Sequence, residues 1–447
     1  MMKSALRGLL LFSLLTLVIG AAPEAGLAQG AFAAYTSGVQ IANLENSTAS
    51  ITLTAYNFDG TINGTPLNDT IDASGSKTYF PISNVSSGFN GSIQVSSSTK
   101  VAAISNILSA DFRAGASYVG RDTGSTTVRL PLLNKNNSGF NTWFSVQNTG
   151  STDATVNVAY SDGSTATGTI KPGAAKVFNQ ATEPHTAAVF AATITSNQPL
   201  VAAVIQESTS VIFAYTGFSG AGSTAPLFPL VNANNSGYVT GLQIQNAGTQ
   251  TTTVTVSYKA SLFGADCTET QTIAPNDSKT FALAAFANST LGSAEDCANA
   301  PTRFVGSAKV TANSANQPLI GIGNQLFPGR NGEAYGSFSA EEATSKVVLP
   351  LIMDRNNGFF TGFSVQNVGA SATSVNCTFT NTDYTISANL EPEQALTDVQ
   401  GTKIQASYVG GATCTADTGG KIVVVVNELG PNTEADQLLV YEGAFTD

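Results

Sequence analysis

Phe144-Ser145-Val146-Gln147-Asn148-Thr149-Gly150 is followed closely by Thr155-Val156-Asn157-Val158-Ala159-Tyr160-Ser161-Asp162-Gly163. In the second stretch apolar and polar residues alternate, the period of a half-buried strand. Asp-Gly then supplies the positive φ of a tight hairpin turn. Both stretches return. Val146-Gln147-Asn148 is matched by Ile244-Gln245-Asn246, by Val365-Gln366-Asn367 and, more weakly, by Ile41-Ala42-Asn43. The alternating strand is matched by Thr253-Val254-Thr255-Val256-Ser257-Tyr258.

Other blocks keep step with these. A Leu-Pro-Leu type strand comes before, at Leu130-Pro131-Leu132, Phe228-Pro229-Leu230 and Leu349-Pro350-Leu351. Pro cannot donate to a ladder, so it places this strand at a sheet edge or the Pro at a strand's start. Next come the turns Asn136-Asn137-Ser138-Gly139-Phe140, Asn234-Asn235-Ser236-Gly237-Tyr238 and Asn356-Asn357-Gly358-Phe359. Later, Asn197-Gln198-Pro199 and Asn316-Gln317-Pro318 sit between apolar strands and read as hairpins. Each unit closes on a Tyr-Gly block, at Tyr118, Tyr215, Tyr335 and Tyr441.

Self-similarity at this spacing means tandem units. About seven short strands in roughly 100 residues is the count of an immunoglobulin-like sandwich. The expected fold is all-β: a signal peptide at 1–28, then sandwiches at 29–124, 125–223, 224–343 and 344–447. Pieces cut at those boundaries are expected to fold alone. Through Phe144 to Gly150 and Val156 to Gly163, the repeat resembles immunoglobulin-like repeats of bacterial cell-surface, cell-adhesion-related proteins. The resemblance implies display or adhesion outside the cell and carries over no functional residue.

The N-terminus reads as an export signal. Lys3 and Arg7 precede the apolar core Leu9-Leu10-Leu11-Phe12 to Leu17-Val18-Ile19, with cleavage expected after Ala28 or, as a second choice, after Ala33. No transmembrane segment is expected after cleavage. The mature chain then carries 17 basic and 29 acidic residues. An acidic chain without basic runs argues against nucleic acid as a partner. Charged residues are only 11% of the sequence, which leaves Ser, Thr, Asn and Gly to cover the surface and weakens repulsion between copies. Cys267, Cys297, Cys377 and Cys414 allow three pairings. Because the two pairs fall at corresponding places in two copies, Cys267–Cys297 and Cys377–Cys414 are the expected bonds.

Catalytic equipment is sparse. His185 is the one histidine, in Thr182-Glu183-Pro184-His185, and reads as a surface-loop residue rather than part of a triad. No Cys/His cluster suits zinc, so no metal and no cofactor are expected. Asp59-Gly60 and Asp162-Gly163 read as hairpin turns before acids or calcium ligands. The sharpest recurring polar feature is the turn set: Asn136, Asn137, Phe140, Asn234, Asn235, Tyr238, Asn356, Asn357 and Phe359. Their amides and rings could hold a sugar, while the plainer reading is a set of αL turns capped by asparagine. Trp143 reads as a core or interface anchor.

The function expected is that of a secreted, non-enzymatic structural or adhesive cell-surface protein that contacts itself or other surface proteins, with self-assembly into a fibre or layer as one form. The alternative is an array of carbohydrate-binding modules that takes polysaccharide through those turns.

Overall fold

The computed structural model describes residues 13–17, 34–282, 303–314, 317–431 and 435–445. Every regular element among them is a β-strand, and all sheets are antiparallel. One four-strand order recurs. Ser76–Tyr79, Tyr35–Asn43, Val101–Ser109 and Gly115–Val119 form a sheet in that order. Ser278–Phe281, Val239–Asn246, Leu319–Phe327 and Asn331–Gly336 repeat it, as do Ala395–Val399, Phe360–Asn367, Ile422–Leu429 and Leu438–Glu442. A second sheet faces each one. The companion of the first is Ser13–Leu17, Gly91–Ser97, Ala49–Asn57 and Leu67–Ile71. Ile41, Leu53, Ile93 and Val95 are fully buried between these two.

Between residues 125 and 219 the two sheets are continuous, because Val189–Glu207 runs 19 residues from one into the other. Its first half pairs with Ala154–Tyr160, and its second half with Asn141–Asn148. Asn197-Gln198-Pro199 is therefore a crossing point and not the hairpin expected. Two apolar runs joined by a polar tripeptide read alike in both cases; the difference is that these halves never pair with each other.

Leu227–Ala233 ends its sheet as expected of a strand with an internal Pro, but the other two Leu-Pro-Leu strands differ from expectation. Ser125–Asn134 and Lys346–Asp354 are flanked on both sides, by Phe218–Ser219 and Ala444–Phe445 as well as by their main partners. Proline is accommodated by a local irregularity: the register shifts around Pro131, Pro229 and Pro350. The closing tyrosines serve this irregularity. Tyr215 donates to the Leu132 carbonyl at 2.7 Å, Tyr335 to Leu230 at 2.5 Å, and Tyr441 to Leu351. All three rings are buried. Two motifs far apart in sequence thus form one joint.

The sheets with the recurring order are buried on both faces. In Ile422–Leu429, Val424 and Val426 join one core, while Val423 and Val425 join the core built mainly from residues 227–343. Trp143, Val201, Ala203 and Ile205 pack with Ile107, Ala114, Ala116 and Tyr118 in the same manner. The end strands of these sheets meet. Ile212–Thr216 packs against both Gly115–Val119 and Asn331–Gly336, and Leu438–Glu442 against the same two, which closes a ring.

Candidate functional site

The recurring Gln-Asn pair is buried wherever it occurs in full. Asn148 Nδ2 donates to the carbonyls of Thr152 and Ile170 at 2.7 and 2.9 Å, and its Oδ1 accepts from Gly150 N at 2.9 Å. Asn246 makes the same three bonds to Gln250, Ile273 and Gly248. Asn367 makes them to Ser371, Leu390 and Gly369. A short amide thus replaces the ladder where the strand ends. The glutamine beside it reaches a turn carbonyl: Gln147 that of Gly173, Gln245 that of Asn276 and Gln366 that of Glu393. Two of these carbonyls also accept a hydroxyl from the preceding unit, Ser92 at 2.6 Å and Ser307 at 2.5 Å. The motif is a joint at the seam between units.

The asparagine turns have one geometry. Asn137 and Phe140 exchange both backbone bonds at 2.9 Å around Ser138 (φ 51°) and Gly139 (φ 87°). Both central residues at positive φ define a type I′ turn, which explains glycine at the second place. Asn235 with Tyr238, and Asn356 with Phe359, repeat it. Asn136 (φ 50°) and Asn234 (φ 49°) are left-handed and exposed; the matching place in the last turn is Arg355 (φ 52°), while Asn357 (φ 50°) is a central residue. The other amides donate beside the turn, Asn137 to Asn134 at 2.9 Å and Asn235 to Asn232 at 2.8 Å, and Asn235 Oδ1 also accepts from the Arg303 guanidinium at 2.6 and 3.0 Å. Phe140 packs on Phe213, and Tyr238 packs on Phe327 with its hydroxyl bonded by Asn331. Phe359 is half-buried. Trp143, 2% exposed, lies against Tyr35 in the cluster between two units.

His185 is not at the surface. Its side chain is wholly buried, stacked on Phe190 at 4.0 Å and edge-on to Tyr160. Ser164 Oγ and Asp162 Oδ2 both lie near the same ring nitrogen, Nδ1, at 2.9 and 3.1 Å. A triad needs nucleophile and acid on opposite nitrogens, and here Nε2 has no hydrogen-bond partner. Burial lowers the imidazole's pKa despite Asp162. For Asp162, burial is outweighed by bonds from Ser164 and Thr186 and by His185, which bring it to about 2. The group plugs the end of a hairpin. Proline before the histidine had signalled a loop, but not that Phe190 would cover it.

Cys377 and Cys414 lie opposite each other on paired strands and are bonded. Cys267 is also disulfide-bonded; Cys297 lies outside the described residues. The two pairs do not start at equivalent places. Cys377 occupies the alternating strand, whereas Cys267 is on the strand after it, opposite Tyr258.

The polar residues missed by the sequence reading sit at the centre of the ring. Glu333 accepts backbone N–H bonds from Ser117 at 2.5 Å, Ala214 at 2.6 Å and Ala334 at 2.8 Å. Asp436 accepts from Ile212 at 2.7 Å and Gly332 at 2.9 Å, and Glu442 from Gly336 at 2.5 Å. Each ring strand ends its sheet and has a row of N–H groups without a ladder. The carboxylates fill that row from neighbouring units. Burial raises the pKa of Glu333 and Asp436 well above the ordinary range, against those bonds. The available signal was an acid inside a closing block, Asn331-Gly332-Glu333-Ala334-Tyr335-Gly336, that is buried throughout. Beside the ring a cavity of about 660 Å³ is lined by residues from distant parts of the chain, with Arg121, Phe218, Phe338 and Glu442 among its walls.

Among the described residues, no group of three or more His, Cys, Asp or Glu is arranged to hold a metal ion. No protein-family profile matches the chain, and no curated protein matches it.

Proposed function

We propose that this chain is a secreted, non-enzymatic structural or adhesive protein of a bacterial cell surface, made of four immunoglobulin-like sandwiches that act as one block. The observation that carries this reading is the character of the outward sheet edges. Thr385–Leu390 ends its sheet with Thr385, Ser387 and Asn389 exposed and no charge or proline. Thr165–Ile170 does the same, with Lys176 reaching one carbonyl, that of Thr167. Soluble proteins commonly guard such edges with lysine, proline or bulges. Edges left this plain favour strand-to-strand contact with another copy or another surface protein. The recurring polar residues work inside turns and seams, which favours contact over chemistry.

Electron microscopy of the purified exported protein is the test, with filaments or sheets as the expected result. Dispersed single particles, together with glycan binding abolished by Tyr238→Ala and Phe359→Ala, would establish the carbohydrate-binding alternative instead. Turnover of a polysaccharide or peptide that depends on one Asp or Glu would overturn both.

A further inference from the structure

Three lead strands dock at one register. Leu130 lies opposite Ala192, Phe228 opposite Ala308, and Leu349 opposite Ala412. Those alanines lie in turn opposite Tyr160, Tyr258 and Phe379, so the places are equivalent. Leu130, Phe228 and Leu349 are fully buried. In the first sandwich the equivalent place is Ile93, opposite Ala55. Its lead strand is Ser13–Leu17, with Leu17 opposite Ile93 and Leu15 opposite Val95.

Those five residues lie inside the segment read as an export signal. Removing residues 1–28 takes away the strand that pairs along Gly91–Ser97, in which Ile93 and Val95 are fully buried. Among the described residues, no other strand lies beside that edge of Gly91–Ser97. Elsewhere five or six residues, such as 135–140, join the lead strand to the Gln-Asn strand. After cleavage only residues 29–34 precede Tyr35–Asn43, so a turn would use all of them.

We propose that the edge of Gly91–Ser97 freed by that cut is an acceptor groove that takes an antiparallel strand from a second copy. The donor is the stretch before Tyr35 in that copy, Ala31-Phe32-Ala33-Ala34, which is uncharged and free of proline. One cut creates both parts, so every mature copy carries an empty edge and a free end. Pairing restores the ladder along Gly91–Ser97, as in other cases of strand addition. This inference rests on the reading of a secreted, assembling protein and names the contact.

The test starts from the exported protein, its N-terminus determined by mass spectrometry. Its mass in solution is then measured by analytical ultracentrifugation, with and without an excess of a lysine-tagged peptide of residues 11–19. The expected result is a start at Gln29, dimers or larger species, and conversion to monomer by the peptide; a start at Ala34 removes Ala31-Phe32-Ala33 and would overturn the proposal. The amides of Gly91–Ser97 are expected to be protected from hydrogen exchange in the associated protein and to stay protected when the peptide displaces the donor. Association that the peptide leaves unchanged would reject the groove while keeping assembly. A monomer with those amides already protected would reject both. An exported chain that still holds Ser13–Leu17 would also overturn the proposal, since the edge is then filled in cis.

Discussion

Asn148 shows how a single side chain ends a strand. It is fully buried and makes three bonds to backbone groups that no ladder serves. Asn148→Ala is expected to cost about 2–4 kcal/mol, since the Thr152 and Ile170 carbonyls and the Gly150 N–H lose their partner. Urea unfolding reads this as a lower midpoint at unchanged slope. Glu428 is the opposite case, a buried carboxyl whose Oε1 has no partner. Burial pushes its pKa up to about 8. The folded form therefore holds a proton that the unfolded chain releases near the ordinary carboxyl value, about 4.3. Its contribution to stability is fully present below that value and is lost as pH rises through about 8. The slope is about 1.4 kcal/mol per pH unit within that window. Melting curves at pH 5 and pH 8 should differ in that direction, and Glu428→Gln should narrow the difference.

At the scale of elements, the Leu-Pro-Leu strand, the closing tyrosine and the disulfide hold strands that are remote in sequence. Cys377 and Cys414 are 37 residues apart and tie the alternating strand to the strand that leads into Ile422–Leu429. A loop of that length constrains the unfolded chain by roughly 3–4 kcal/mol. Replacing both cysteines by Ala, so that no free thiol is left, should lower the thermal midpoint of the last sandwich. The asparagine turns should be little affected, because they are closed by their own backbone bonds.

At the scale of the molecule, the ring changes what a fragment can do. The piece 344–447 alone would expose Val423, Val425, Leu438 and Val440, which the whole chain buries against residues 227–343. Burial of this kind is worth about 25 cal/mol per Å², so the isolated piece is expected to associate or to unfold well below the intact protein. The carboxylates at the centre act in the same sense. Glu333→Ala leaves the Ser117, Ala214 and Ala334 N–H groups buried and unserved, at about 1–3 kcal/mol each. Calorimetry is expected to show one main transition for the intact chain, splitting or broadening in this variant. Separate transitions in the unmodified protein would show that the units melt independently.

The strands, the I′ turns and the all-β class were legible in the sequence because each depends on near neighbours. Alternation places side chains on two faces, Asp-Gly or Ser-Gly permits positive φ, and repetition repeats both. The burial of Trp143 also followed from its type and its place on a strand. Seam and ring were not legible, since they depend on pairings across units. Asn197-Gln198-Pro199 reads as a hairpin until its two halves find partners in different sheets. His185 reads as exposed until Phe190 stacks on it, and nothing in the closing block around Glu333 tells that the N–H groups of Ser117 and Ala214 converge on it. Local periodicity specifies which face of a strand is apolar. Only the packed structure decides whose core that face enters, because burying Val423 and Val425 requires a neighbour that their own sandwich does not contain.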